Sequence, residues 1–140
     1  MQPEVSVRES YRIQGETVIT ADDYTTGRVF DDAVCYAFYP VDLHTRNGVK
    51  PKPLLKDTVP TIPLSALVPR GSRNIIVAGR CVSSDRLANS GLRVQASCMA
   101  MGQAAGAAAA LAARNDTTPL MVALNDIRKM LLKHGAIVPA

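Results

Sequence analysis

The spacing of apolar and polar positions changes several times along the chain. Val5, Val7, Tyr11 and Ile13 alternate in part with polar neighbours, which predicts a strand over residues 5–13. Gln14-Gly15 turns the chain, and residues 16–20 are expected to continue as a partner strand. Thr20 then precedes Ala21-Asp22-Asp23. A hydroxyl cap followed by carboxylates predicts a short helix, which Gly27 ends. Residues 33–39 are apolar and aromatic and read as a strand closed by Pro40. Residues 45–60 are polar and basic and are broken by Pro51, Pro53 and Pro60, so a loop is expected. Residues 61–63 and 65–68 are short edge pieces between prolines.

The second half is more regular. Asn74-Ile-Ile-Val-Ala78 predicts a buried strand that stops at Gly79-Arg80. A polar loop over residues 81–93 follows, then a helix from about Val94 to Ala113, because Ala is the best helix former. Asn115-Asp116 closes that helix. Thr118-Pro119 begins a last turn, with Pro at its usual early-helix place. Leu124, Ile127 and Leu131 recur at helical spacing before a stop at Gly135.

Bulk properties limit the function classes. The 140 residues are enough for one domain, 47% apolar and 20% charged, with no Trp, so the core must be aliphatic and Ala-rich. The net charge of +4 is mild, and its densest basic group (Lys50, Lys52, Lys56) sits in the Pro-rich loop without aromatic platforms. That distribution argues against nucleic acid as a partner. The three cysteines (Cys35, Cys81, Cys98) have no metal spacing, so no metal site is expected. Free thiols in a reducing compartment, hence a cytoplasmic location, are the plain reading. Residues 94–113 have the length of a membrane span, and Gly102/Gly106 have the spacing of a membrane helix pair. Ala and Gly gain little in lipid and Gln95 and Gln103 are costly there, so no membrane role is expected.

A strand ending in Gly, then a helix with a small-residue face, is one way α/β proteins approach a nucleotide cofactor. The sequence contains neither G-x-G-x-x-G nor G-x-x-x-x-G-K, so only the second half of such a site is expected here.

Four segments carry a resemblance to a known family. They are Arg8-Glu-Ser-Tyr-Arg12 with Gly15-Glu16; Asp22-Asp23 through Gly27-Arg28 to Asp31-Asp32-Ala33; Tyr39-Pro-Val-Asp-Leu-His44; and a long final segment. That last segment runs from Ile62-Pro63 through Asn74-Ile-Ile-Val-Ala-Gly-Arg80 and Arg93 to Met99-Ala-Met-Gly-Gln-Ala-Ala-Gly106. Together they resemble the C-terminal portion of FAD-dependent oxidoreductases with the glutathione-reductase type of flavin-binding fold. The resemblance implies an α/β class, α+β as an isolated fragment: a partial FAD/NAD(P)-binding sheet edge with long C-terminal helices and part of an antiparallel substrate-domain sheet. Residues 1–70 would belong to the substrate or interdomain sheet, 71–114 to the strand and helix of the FAD-binding domain, and 115–140 to a C-terminal helical segment. The implied cofactor is FAD, poorly retained by the chain alone because the pyrophosphate contacts lie on the N-terminal G-x-G-x-x-G portion. That portion is the expected partner, alongside a possible homo-oligomer.

The resemblance also assigns roles. Gly79 and Arg80 would touch the ribityl and phosphate side of FAD, and Arg93, Met101, Gly102 and Gln103 would lie near the isoalloxazine. The helix start offers unpaired N–H groups and partial positive charge, which favours the anionic reduced flavin. On residue type alone, Gly79-Arg80 reads as a strand end with a surface Arg, and Gly106 as a packing glycine. Arg8 and Arg12 share a strand face and could grip a carboxylate or phosphate substrate, although spacing alone favours two solvent-facing arginines. Asp42 and His44 share a face, where the carboxylate could orient the imidazole as a general base; a structural role fits the same spacing. Cys81 and Cys98 lack C-x-x-C spacing and read as inert thiols. The competing reading is a non-enzymatic oligomerisation module whose Ala/Gly helix docks on another subunit.

Overall fold

A computed structural model of the chain describes residues 9, 11–45, 47–49 and 51–139. Helix α1, Ala21–Thr26, forms as its caps dictate. The Thr20 hydroxyl accepts from the Asp23 N–H at 3.1 Å, and the Asp23 carboxylate accepts from the Thr20 N–H at 3.0 Å. This reciprocal box satisfies two N–H groups that lack helical partners. Gly27 ends the helix at φ 74°, where a side chain would also meet Thr58.

Strand β1, Ala33–Tyr36, pairs antiparallel with β4, Thr61–Pro63, in the register Ala33↔Pro63, Cys35↔Ile62 and Tyr36↔Thr61, with a bulge between Ala33 and Cys35. The prolines leave β4 three residues long, yet all three are buried. Between them the Pro-rich excursion holds an exposed two-residue hairpin, β2 (His44–Thr45) and β3 (Gly48–Val49).

Helix α2, Arg86–Leu92, lies in what the sequence reads as a polar loop. Helix α3, Gln95–Arg114, and helix α4, Leu124–Lys133, follow, separated by a 3₁₀ turn at Pro119–Met121 with Pro first. Gly135 takes φ 76° just past α4. α3 packs on β1, on α4 and on the Pro119–Met121 turn. Its inward face, Met101, Ala104, Ala108 and Leu111, joins Tyr24, Val34, Ile62, Leu92 and Ile127 in one core. α3 has the length and composition of a membrane span, but this face is spent on the core. Arg128 fastens α4 to β1 by donating Nε and Nη2 to the Ala33 carbonyl at 3.1 and 2.9 Å.

The α/β expectation holds as a mixture of helices with small antiparallel sheets. Several elements differ. Residues 74–78 do not form a buried strand: Ile75 is 57% exposed, and the Val77 N–H bond to the Leu67 carbonyl (2.8 Å) joins no ladder. A strand needs a neighbour along its whole edge, and none of the described residues supplies one. Most of the strand expected over 5–13 lies outside the described residues; Tyr11–Ile13 are not in a strand. Residues 15–20 are tied by isolated bridges, Gly15↔Pro69 and Ile19↔Ser84, and residues 16–20 do not form the expected partner strand.

Candidate functional site

The segment 39–44 is held against α2 and the start of α3 by polar contacts. Tyr24 is fully buried, and its hydroxyl donates to the Tyr39 carbonyl at 2.7 Å. Burial pushes its phenol up to about 12. Tyr24 fits because residue 91 of α2 is Gly: a Cβ there would lie 2.6–2.8 Å from the ring and hydroxyl. The Asp42 N–H donates to the Ser90 hydroxyl at 3.0 Å, and that hydroxyl donates to the Leu87 carbonyl at 2.6 Å. The Arg93 guanidinium donates to the Asp42 carbonyl at 3.0 Å. Asp42 is therefore clamped from both sides by α2 and its C-cap.

Across from it stands the Gly79-Arg80 turn. Gly79 has φ 89°, a conformation that other residues rarely adopt, and its backbone lies against Cys98. The Val82 N–H closes the turn on the Gly79 carbonyl at 3.1 Å, and the Asn89 amide donates to the Arg80 carbonyl at 3.2 Å. Burial pushes the Cys98 thiol up, with Cys81 adding to this and the Arg80 charge opposing it.

These pieces enclose an open cleft of about 360 Å³ lined by Tyr39, Asp42, Arg80, Ser90, Arg93, Val94 and Gln95. Val94 is the N-cap of α3, and its side chain cannot accept a hydrogen bond; no acidic residue stands in the first turn. The first amides of a 20-residue helix thus bring partial positive charge to the cleft with no cap or acidic residue of the helix's own first turn against it. Two guanidinium-bearing residues and one carboxylate share the same wall.

The structure brings Arg80, Arg93 and Asp42 together, with Gly79 beside them. His44 lies on the exposed hairpin, its Nε2 3.3 Å from the Asp42 Oδ2. Arg12 is not at the cleft; its Nε donates to the Ser84 carbonyl at 3.1 Å. Arg8 lies outside the described residues. Met101 is a core side chain with no exposure. Gly102 and Gln103 are exposed farther along α3 and line a groove with Met130, Leu131 and His134 instead. Sequence reasoning passed over Ser90, and no local pattern marks it. It also passed over Glu9, whose signal was its place in Arg8-Glu9-Ser-Tyr-Arg12. Among the described residues no group of three or more His, Cys, Asp or Glu is placed to hold a metal.

No curated protein and no solved structure matches the chain. A family profile, that of FAD dependent oxidoreductases, matches residues 1–131. With nearly the whole length matched, the chain belongs to the FAD dependent oxidoreductase family.

Proposed function

We propose that this chain is the C-terminal portion of a glutathione-reductase-type flavoenzyme, and that the cleft between Gly79-Arg80 and the start of α3 receives the pyrimidine and ribityl side of FAD. The supporting observation is the convergence of Arg80, Arg93, Asp42 and the side-chain-uncapped start of α3 on one cleft. The donor set fits an anionic, hydrogen-bonding edge. A volume of about 360 Å³ is near the lower end of cofactor pockets, which run roughly 300–1,000 Å³, so it suits one end of such a molecule. Family membership favours this reading over a non-enzymatic oligomerisation module.

FAD, when bound, supplies the hydride acceptor. The chain's residues bind, orient and stabilise. Arg93 and the first amides of α3 place positive charge where negative charge develops on reduction. Arg80 guards the phosphate side, and Gly79 lets the backbone approach. Asp42 and His44 form the acid–base pair; substrate binding by Arg8 and Arg12 rests on the family resemblance alone, since Arg12 stands on the Ser84 carbonyl away from the cleft and Arg8 lies outside the described residues. Met101, Gly102 and Gln103, assigned near the flavin by the family resemblance, lie away from this cleft, Met101 in the core and the other two on a separate groove, and have no contact with a flavin seated in it. The region boundaries at 70 and 114, the N-terminal G-x-G-x-x-G partner, a homo-oligomer and a cytoplasmic site complete the reading.

The test is flavin titration followed by fluorescence quenching, with FAD and with riboflavin. The chain alone binds both weakly, and Arg93→Ala weakens both by about tenfold, the worth of one charge-assisted hydrogen bond in a half-enclosed site. Arg93→Ala with unchanged affinity, or stoichiometric yellow protein purified without added flavin, overturns the reading.

A further inference from the structure

Arg93 immediately precedes Val94, the N-cap of α3, and its side chain is only 6% exposed. A guanidinium cannot shed its charge, so burying one requires a counter-charge. That charge comes from Glu9, far away in sequence. Glu9 Oε1 lies 3.7 Å from the Arg93 Nη1, and its Oε2 accepts from the Arg86 Nε at 3.0 Å. Arg86 opens α2 and Arg93 is its C-cap, seven residues on and so on the same side of the helix. One carboxylate spans both ends of α2.

The two halves of this bridge differ in weight. Arg86 has a side chain 59% exposed, and an ion pair in water contributes little. The Arg93 half is shielded. Among the described residues Oε1 is buried without a hydrogen-bond partner, and the facing guanidinium is the charge that compensates it. The other end of Arg93 is fixed on the Asp42 carbonyl at 3.0 Å.

We propose that Glu9 is a positioning residue acting through Arg93: it fixes the guanidinium at the wall of the cleft and offsets part of the positive charge that Arg93 presents there. The consequence for a flavin rests on the function proposed above; the effect on Arg93 does not. Glu9→Gln keeps the shape and the contact to Arg86 but removes the charge. Arg93 then loses its charged partner and moves more freely.

Arginine labelling with phenylglyoxal, read site by site by mass spectrometry on the intact chain, reports both effects. Glu9→Gln quickens modification of Arg93 by about tenfold, because the shielded guanidinium loses the charged contact that holds it in place. Arg128, held on the Ala33 carbonyl, keeps its wild-type rate. Glu9→Asp restores slow labelling in part. A general loosening of the fold would quicken Arg93 and Arg128 together, and that result overturns the proposal, as does equal Arg93 labelling in wild type and Glu9→Gln. FAD titration of the same proteins separates the two claims: no binding by any of them, with the labelling order intact, removes the flavin reading and leaves the role of Glu9 standing.

Discussion

Asp85 caps two helices at once, and replacing it should cost far more than an ordinary surface aspartate. Its Oδ1 accepts from the Ala88 N–H of α2 at 2.8 Å, and its Oδ2 accepts from the Ala21 N–H at the start of α1 at 2.5 Å. The Asp85 N–H also donates to the Ile19 carbonyl at 2.9 Å, which fixes where the carboxylate stands. Losing an N-cap costs about 1 kcal/mol, and losing a part-buried charged hydrogen bond at a second helix start costs about 1.5–3 kcal/mol. Asp85→Ala is therefore expected to lower unfolding free energy by about 2.5–4 kcal/mol in urea titration. Asp85→Ser can still cap α2 but cannot reach Ala21, so it should lose about half of that. Asp85→Asn keeps one acceptor and turns an amide donor toward a second N–H, placing it close to Ser. An Asp85→Ala protein within about 0.5 kcal/mol of wild type, or an Asp85→Ser protein as stable as wild type, would refute the double cap.

Other outcomes follow from the same structure. Burial desolvates Asp23 and opposes its charge, but hydrogen bonds from Arg28 and Thr20, with the Arg28 charge, hold its carboxyl below the ordinary 3.8. Its contribution is present above 3.8 and is lost as pH falls through the lower folded value, so Asp23→Asn should flatten the acid limb of a stability–pH curve. Burial pushes the Cys35 thiol up to about 12, so native-state iodoacetamide at pH 8 should label Cys81 first, Cys98 (also raised by burial) more slowly, and spare Cys35 until the chain unfolds. Arg128→Ala leaves the Ala33 carbonyl without two donors and should cost about 1–3 kcal/mol in thermal or urea unfolding, with Arg128→Lys recovering part. Gly91→Ala drives a methyl into Tyr24; overpacking of about 1–3 kcal/mol exceeds the roughly 1 kcal/mol gain in helix propensity, so the variant should be less stable despite the better helix former.

The elements legible in the sequence are those whose signals are local. Thr20 with Asp23 and Gly27 specifies both ends of α1, and the Ala run specifies α3. Leu124, Ile127 and Leu131 with Gly135 specify α4. Helix α2 was illegible because Asn89, Ser90 and Gly91 are poor helix formers and favour turns. They are tolerated because each has a tertiary partner: Asn89 on Arg80, Ser90 on Asp42, and Gly91 under Tyr24. Residues 74–78 gave the opposite error. An apolar run predicts burial, but a strand forms only when a second backbone lies beside it, and periodicity carries no information about that neighbour. The cleft was half legible. Arg80, Arg93 and Asp42 stood in recognisable segments, while Ser90 and Glu9 matter through contacts 48 and 84 residues away.

This division explains how the cleft is held. Among the described residues no sheet ladder supports it; β1 and β4 lie elsewhere in the core, and the hairpin is exposed. Its walls are loops and helix ends, fixed by single polar contacts between Tyr24 and Tyr39, Ser90 and Asp42, Arg93 and Asp42, and Asn89 and Arg80. Several of these partners sit on α2, and α2 itself is started by Asp85 and spanned by Glu9. A perturbation at either end of that short helix is thus transmitted to both sides of the cleft, because the same seven residues carry Ser90 toward Asp42 and Asn89 toward Arg80. Removal of a buried polar partner costs the desolvation of what it leaves behind. The sensitive positions of this chain are therefore the caps and braces of α2 more than the long Ala-rich helix beside it, whose exposed face beyond Gln95 can change residue by residue without disturbing a wall.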